Sequence, residues 1–571
     1  MQSDCLSDLG RTGLGALLGA AAAGAIAPFL KPLFGPPTGG VGVLTVHGYP
    51  KGWDYAVVAL LALGALIGGR ASRSLAAGVT PGADTIGRDA RSVRPRRPPP
   101  LALSLVVFVL MLFVHDHPYR LMDPFHEGEH LTPGFLLKAG ATPFEDVFLL
   151  HGLATDGGLD ALVLGEPPSP RRARRLQTVL DAATLALLVP IAAELVATTG
   201  GLIAAVLASL CATAAFWVPV FPYFRLAPVL IAVLGMLRYV RTRTWPPLLV
   251  AFAASSAGLL WSLDTGTYAL AATAITAAMV ARKRALVLLA FLLPLLLLPR
   301  QFWIDSFVII PKAIDAVWSL PAPPPFTAEG TRYYLPPVFY GFLLALAWKR
   351  KDARIAIVAI FSLLLFRTAT GRVSWSHTRY AVPLLGIAAV AFVVEPLVKK
   401  RALAAIAAIA FIVWFEVPQN LIAGAKLLAE WPSRQKHEGL VRYPFATGKG
   451  IYTTDQNAKE LAALNGMIET FGTGTILDFT NERALYYLMQ RKPPVRCFDI
   501  PMLSNPDLLA EAMAELNARP PVAVILGGDP NVALFDGVPN ETRVPALAAW
   551  IDANYPRRFE VGRFIVAAPR E

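Results

Sequence analysis

Apolar stretches about as long as a membrane-spanning helix recur along the first three quarters of the chain, with polar segments between them. A helix crosses a bilayer with about 20 apolar residues, within a range of roughly 17–25. On this scale the pattern predicts about thirteen spans. They lie near 13–35, 54–69, 101–115, 176–197, 200–221, 226–240, 246–262, 266–281, 284–299, 335–348, 354–367, 379–397 and 401–418.

After about residue 419 the pattern changes to that of a soluble α/β region, in which helical and β-type segments alternate. The sequence therefore predicts a polytopic α-helical membrane protein with a small C-terminal α/β domain at 419–571. The predicted elements are a helix over 455–470 capped by Asp455, a strand over 474–479, a helix over 481–490, and strands over 521–526 and 559–568.

Composition supports the membrane assignment. Of the 571 residues, 55% are hydrophobic and only 16% are charged, whereas about 25% of a typical soluble domain is charged. This excludes a disordered chain and argues against a single soluble globule. The three cysteines, Cys5, Cys211 and Cys497, are too few for a disulfide scaffold, and their spacing matches no metal site.

The formal net charge of +12 is explained by topology. Basic clusters occur in alternate loops, and thirteen spans with a cytoplasmic N-terminus place all of them on the cytoplasmic side, as the positive-inside rule requires. The C-terminal domain then lies outside, and no nucleic-acid partner is implied. The clusters lie at 70–97, Arg238/Arg241/Arg243, Arg282/Lys283/Arg284, Lys349/Arg350/Lys351/Arg354 and Lys399/Lys400/Arg401.

One basic cluster breaks this rule. Arg171, Arg172, Arg174 and Arg175 precede the fourth span and would lie outside. An extra crossing at 152–165 would move them inside, but acids and glycines make that stretch a poor span. The cluster is then either an anion site or a contact with lipid headgroups.

The first outer loop, residues 116–175, concentrates polar residues. Five of the eight histidines lie in or beside it, together with many acids. The simplest interpretation is that a long outer loop is hydrated and that its polar residues have no further function. Against it, apolar residues are interleaved with the polar ones, which suits helices lying at the membrane interface.

Two further groups combine charge with a membrane setting. Asp264 lies near the outer end of a helical hairpin and is either a functional acid or the cap of the helix that begins at Thr265. Arg372, His377 and Arg379, near Arg367, form a second outer basic group that could meet a phosphate.

The loop motifs resemble a known family. DPFHEGEHL, the segment Gly140–Asp146 and the following His-Gly are similar to the first outer loop of GT-C-type integral membrane glycosyltransferases, in the bacterial branch related to protein mannosyltransferases and lipid A aminosugar transferases. Weaker similarities lie at 261–268, at Gly371-Arg372 with His377, and at 478–488. The likeness covers roughly 101–571, so the first two spans look like an addition.

The resemblance implies a multi-pass protein of the bacterial inner (plasma) membrane that takes a sugar from a polyprenyl-phosphate donor. The acceptor would be a lipid, glycan or protein on the outer side. It also implies a hexosyl- or pentosyltransferase with inversion, in which a carboxylate acts as general base and basic residues stabilise the leaving phosphate.

The resemblance leaves the base among three acids of the loop. Glu127 is the first choice, followed by Asp123 and Glu129. His126 stands where the family carries an acid, so it either orients Glu127 or is only an interfacial histidine. Asp146 either holds a divalent metal or caps the next helix, and capping is favoured. No cofactor is otherwise implied.

The predicted organisation has three parts: an N-terminal two-span hairpin with a basic cytoplasmic linker over 1–100, a GT-C-like transmembrane domain over 101–418, and the outer domain over 419–571. The alternative function is a transporter, flippase or polysaccharide polymerase of the cell envelope, although paired repeats typical of transporters are not evident. A scaffold that only displays its C-terminal domain is a third possibility.

Overall fold

The computed structural model describes residues 2–72, 100–117, 120–216, 222–397, 417–528 and 534–570. Most of the basic linker before the third predicted span, the Lys399–Arg401 cluster and nearly all of the last predicted span, 401–418, lie outside these ranges.

Most of the described helices follow the apolar segments of the sequence, but the predicted span 284–299 is broken into short helical pieces. Helix 154–163 is short and irregular, which agrees with the expectation that 152–165 is not a span. The main helices are Gln2–Leu30, Lys51–Ala71, Pro100–His115, Gly128–Lys138, Pro170–Ala186, Leu188–Leu195, Thr199–Ala212, Ala227–Thr242, Trp245–Trp261, Leu263–Ala281, Ile310–Val317, Ala328–Arg350, Ala353–Leu365, Trp375–Tyr380, Leu385–Ala389 and Val417–Ala429.

Several of these helices can cross a membrane, and the chain is a multi-pass membrane protein. Within the described ranges, five helices are long and apolar enough to cross a membrane, and four other apolar helices are shorter. A further pair, Leu263–Leu297 and Arg300–Val317, is bent by 119° at a break beside Pro299. The count of thirteen spans stays a prediction. The five are Leu9–Leu33, Lys51–Ala71, Pro170–Leu195, Tyr223–Thr242 and Ala353–Gly371.

The N-terminal hairpin, formed by helices Gln2–Leu30 and Lys51–Ala71, packs through glycines. A Cβ added to Gly19 would lie 2.0 Å from the carbonyl oxygen of Gly64, and one added to Gly15 would lie 2.3 Å from that of Gly68. Each helix carries two of these glycines, four residues apart. The small residues let the two backbones touch, as in closely packed membrane helices. The hairpin is therefore a tightly packed unit.

Basic groups meet at one end of the helices. Arg284 donates to the carbonyl of Arg243 at 2.9 Å, and Arg241 pairs with Glu194 at 2.8 Å. Lys349 donates to Ser72 at the end of the hairpin. The clusters from separate loops thus share one end of the bundle, as the positive-inside interpretation requires, although the side of the membrane itself stays a prediction.

The C-terminal region contains a four-stranded sheet in the order Ile476–Asp478, Ala523–Gly527, Phe564–Ala568, Arg557–Val561. The first pair is parallel and the other two are antiparallel. The other elements include helices Asp455–Glu469, Ala484–Met489, Pro506–Ala518 and Pro545–Asn554, and the two-residue strands Val441–Arg442, Tyr452–Thr453, Leu534–Phe535 and Val538–Pro539.

Two details of the C-terminal prediction were wrong. The single strand expected over 559–568 is a hairpin that turns at Gly562, where φ is +59°. The cap of helix Asp455–Glu469 is Thr454, whose hydroxyl accepts from the amide of Asn457, and not Asp455. A hydroxyl one residue earlier reaches the free amides of the first turn in the same way as a carboxylate.

The described residues form two hydrophobic cores. One lies among the apolar helices. The other is shared between the first loop, helix Ile310–Val317 and the C-terminal region, where Leu131 and Val147 pack in the same cluster as Leu477 and Val524. Burial of this shared core holds the acid-rich loop between the helices and the sheet.

Candidate functional site

A cavity of about 320 Å³ opens where the first loop, the helix ends and the C-terminal region meet. Its walls are largely apolar, with Trp318, Tyr268 and Tyr380 among them. Ionisable side chains enter from two directions. The loop contributes His126, Glu129 and His151, and the helical part contributes Arg225, Asp264, Arg367, Arg372 and His377.

Glu129 is the loop carboxylate on the cavity wall. Arg483 of the C-terminal region donates to its Oε1 at 2.8 Å and lies 3.0 Å from Asp499 on its other side. Burial alone raises the pKa of Glu129, but Arg483 and His151 lower it, and the net pKa is below the ordinary value. Glu129 is therefore ionised at neutral pH and able to accept a proton.

Asp499, behind this pair, has the opposite balance. Burial raises its pKa to about 6, although Arg483 opposes the rise. Arg483 is itself only 4% exposed and stacks on Phe125 at 4.3 Å. The Arg483 guanidinium thus lies between Glu129 at the cavity, whose pKa is lowered, and Asp499 in the interior, whose pKa is raised.

Glu127, the first-choice base, has a closed environment. Arg174 donates to both of its carboxylate oxygens at 2.8 Å, and Arg120 lies 3.5 Å away. Burial raises its pKa, but Arg174 and Arg120 lower it more. Glu127 and Arg174 are not among the side chains that line the cavity, and their pair joins the loop to helix Pro170–Ala186.

Asp123 and His126 form an exposed pair at the start of the loop helix. Asp123 accepts from Nδ1 of His126 at 2.6 Å and from the amides of Phe125 and His126 at 3.1 Å. Although burial raises the pKa of Asp123, its hydrogen bonds from His126 lower it below the ordinary value. His126 borders the cavity and Asp123 does not.

Asp264 is not the cap of a helix beginning at Thr265, because the helix begins at Leu263 and its N-cap is Ser262. It accepts from the amide of Thr265 at 2.7 Å within the first turn of its helix. It also pairs with Arg225 at 2.8 Å, and Ser262 bridges the two side chains. This pair forms one wall of the cavity.

The second basic group, Arg372, His377 and Arg379, lies only partly at the cavity. Arg372 makes two 2.7 Å bonds to Asp536 of the C-terminal region. His377 hydrogen-bonds Ser374 at 2.7 Å, and burial, with a contribution from Arg372, lowers its pKa to about 3. Both line the cavity, whereas Arg379 does not.

The remaining predicted residues lie away from the cavity. Asp146 is exposed and accepts from the amide of Thr142 at 2.7 Å, so it closes a turn; the helix cap expected there was wrong. Among the described residues, no group of three or more His, Cys, Asp or Glu is arranged to hold a metal ion. Arg171, Arg172 and Arg175 lie on helix Pro170–Ala186, and Arg171 packs against Gly450.

The prediction missed Arg225 and Phe535, which line the cavity, and also Arg483 and Asp536, which bind the cavity residues Glu129 and Arg372. Arg225 had a usable signal, because an arginine at the end of an apolar span is a functional candidate by default. Arg483, Asp536 and Phe535 had none, since they come from the distant C-terminal region. Phe535 stacks on Phe125 with centroids 5.0 Å apart.

Comparison with known proteins gives structural similarities but no sequence match. No family model and no curated protein matches the sequence. The chain is similar to the crystal structure of ArnT from Cupriavidus metallidurans bound to undecaprenyl phosphate, with a TM-score of 0.45 and 14% identity, over 82% of this chain and 97% of that chain.

Proposed function

We propose that this protein transfers a sugar from a polyprenyl-phosphate-linked donor to a hydroxyl of a lipid, glycan or protein acceptor. The observation that carries the proposal is the cavity in which two carboxylates, Glu129 and Asp264, face three arginines, Arg225, Arg367 and Arg372. A displacement of phosphate by a hydroxyl needs both kinds of group in one place.

The chemistry is a single displacement. As the acceptor oxygen bonds to the anomeric carbon, its proton passes to a carboxylate and the bond from that carbon to the phosphate oxygen breaks. The polyprenyl phosphate leaves with the electron pair of the broken bond, and the configuration inverts. Arginine hydrogen bonds stabilise the charge that develops on the phosphate.

Glu129 is the base that this arrangement favours. It borders the cavity and its pKa is lowered, so it is ionised when the acceptor arrives. Glu127 instead gives both oxygens to Arg174, and we assign it to positioning the loop. Asp264, held by Arg225, then contacts the sugar or the acceptor.

Arg367 and Arg372 are the proposed phosphate ligands. Arg367 makes a single 3.3 Å contact with Asp315, which leaves donor capacity for an anion. Arg372 is held by Asp536, so a phosphate at this position would compete with that carboxylate.

We propose that the reaction takes place on the outer side, and the positions of the helix ends support this. Arg225 begins the span Tyr223–Thr242, and Arg243 follows its other end. Likewise, Asp264 begins the helix that ends before Arg282. The cavity and the basic clusters therefore lie at opposite ends of the same helices, and the positive-inside rule puts the clusters in the cytoplasm.

The test is transfer by the purified protein in liposomes, with a panel of radiolabelled polyprenyl-phosphate sugars and extracted envelope acceptors. Glu129→Gln should lower the transfer rate by about 10²–10⁴-fold, the usual contribution of a general base. Glu145→Gln, an exposed acid of the same loop, is the matched control and should transfer normally. Normal transfer by Glu129→Gln would exclude it as the base.

A transporter or flippase is the second candidate, because the 119° bend between Leu263–Leu297 and Arg300–Val317 is a feature of broken transport helices. The same liposomes separate the two functions. Movement of intact lipid-linked sugar across the bilayer, without a new glycosidic bond, would favour the transporter.

A further inference from the structure

A second cavity, the apolar groove, lies among the transmembrane helices. It has a volume of about 430 Å³. The N-terminal hairpin forms one wall with Ala59, Leu63 and Leu66, and the opposite wall includes Leu344 and Leu363. Its surface suits a hydrocarbon chain and offers few partners to a polar ligand.

The groove adjoins the polar cavity at two residues. Arg367 and Tyr268 line both spaces. An amphiphile with an anionic head and a long apolar chain would therefore meet an arginine at the point where its chain enters the groove. Arg367 and the apolar groove thus follow one another in the same order as the anionic head and the apolar chain of such an amphiphile.

Arg367 is held at this junction by the hairpin. Its guanidinium lies over the ring of Tyr55 at 4.4 Å from the centroid. The Tyr55 hydroxyl donates to Asp315, which also accepts from Arg367 at 3.3 Å. Helix Lys51–Ala71 thus supplies both a wall of the groove and a support for its cation.

The hairpin is a fixed wall. The glycine contacts described above join its two helices, and a Cβ added to Gly341 would lie 2.2 Å from the carbonyl oxygen of Ala62. Helix Ala328–Arg350 therefore touches the hairpin backbone directly. Close contact on both sides keeps the groove walls at a fixed separation.

We infer that the N-terminal hairpin builds the binding groove for the isoprenoid chain of the donor, with Tyr55 as a positioning residue that orients Arg367 toward the phosphate. The inference rests on the proposed function for the identity of the amphiphile. It gives the two spans outside the family resemblance a direct part in donor binding.

The first experiment maps where the chain lies. A polyprenyl phosphate with a diazirine in its isoprenoid chain is added to the full-length protein in phosphatidylcholine nanodiscs, and crosslinked peptides are identified by mass spectrometry. Crosslinks within 51–71 and 353–371 are expected, and excess phosphatidylglycerol should not displace them. Crosslinks only elsewhere, or equal displacement by phosphatidylglycerol, would overturn the inference and leave the proposed function standing.

The second experiment fills the groove. Ala59→Trp should weaken binding of the long-chain probe by about tenfold or more, which corresponds to about 1.4 kcal/mol, and leave binding of geranyl phosphate unchanged. Ile67→Trp is the matched control, since Ile67 is also exposed on this helix but lies outside the groove. Equal binding by the two variants would overturn the inference.

The third experiment tests Tyr55. Tyr55→Ala should weaken binding of both long and short phosphates while the melting midpoint stays near that of the wild type, and Tyr55→Phe, which keeps the ring under Arg367, should restore most of the affinity. No effect of Tyr55→Ala on either phosphate would refute the positioning role. If the wild type binds no polyprenyl phosphate at all, the proposed function fails together with this inference.

Discussion

Two carboxylates of the first loop, two residues apart, have contrasting surroundings. Glu127 faces helix Pro170–Ala186 and is closed off by Arg174, whereas Glu129 faces the C-terminal region and opens onto the cavity while Arg483 holds it from behind. Both pairs are short and both acids have lowered pKa values. In the proposed mechanism, access to the cavity, and not the strength of the ion pair, separates the structural acid from the reactive one.

The largest expected effect comes from breaking the closed pair. Arg174→Met leaves the Glu127 charge buried, and loss of one partner from a buried pair costs about 3–5 kcal/mol. Denaturation in detergent, followed by tryptophan fluorescence, measures the loss. The double variant Glu127→Leu/Arg174→Met should recover much of it, and a single-variant loss below about 1 kcal/mol would contradict the closed environment.

Breaking the open pair should alter the pH dependence of activity as well as stability, because Arg483 is itself only 4% exposed. Arg483 lowers the pKa of both Glu129 and Asp499, so Arg483→Met raises both values. The acid limb of the pH–rate profile should then move to higher pH, and Arg483→Lys should move it back part of the way. Arg491→Met, which loses only a bond to the carbonyl of Gly474, is the control. An unmoved acid limb would refute the role of Arg483.

Asp499 offers a pH-dependent test of the open side. Its pKa in the fold is about 6, above the ordinary 3.8, so the fold favours the protonated acid. Its contribution to stability is therefore complete below about pH 4 and is lost as the pH rises through about 6. In Asp499→Asn, the unfolding free energy measured between pH 4 and 7 should lack this fall. If the curves of unfolding free energy against pH run parallel in the variant and the wild type, the raised pKa is not that of Asp499.

The smallest effect is expected at the exposed pair. Asp123 and His126 are 49% and 35% exposed, and pairs of this kind contribute less than about 1 kcal/mol. Asp123→Asn should therefore leave the melting midpoint almost unchanged. A loss of stability as large as that caused by Arg174→Met would show that the exposure of an ion pair does not predict its contribution to stability in this loop.

Much of the fold could be predicted because its signals are local. The helix Asp455–Glu469 and the strand Ile476–Asp478 follow from short-range periodicity. The strand hairpin that turns at Gly562-Arg563 was missed because a single glycine within a strand pattern also fits a bulge. The region 284–299 was predicted as one span, but it is broken into short helical pieces around Pro294.

The site could be predicted only in part. His126, Glu129, Asp264, Arg372 and His377 were named from the sequence and border one cavity. The order of the three candidate bases was beyond sequence reasoning, since it depends on Arg483, which lies 354 residues after Glu129 in the chain. A partner that is so distant leaves no local pattern.

That separation also sets an order for biosynthesis. Ribosomes add about 5–20 residues per second, so Glu129 is made roughly 20–70 s before the arginine that neutralises it. The hairpin glycines, in contrast, meet within the first 72 residues. A nascent chain can therefore pair its first two helices early, while Glu129 waits for Arg483 until most of the chain has been made. Premature termination before residue 483 would leave Glu129 without this arginine.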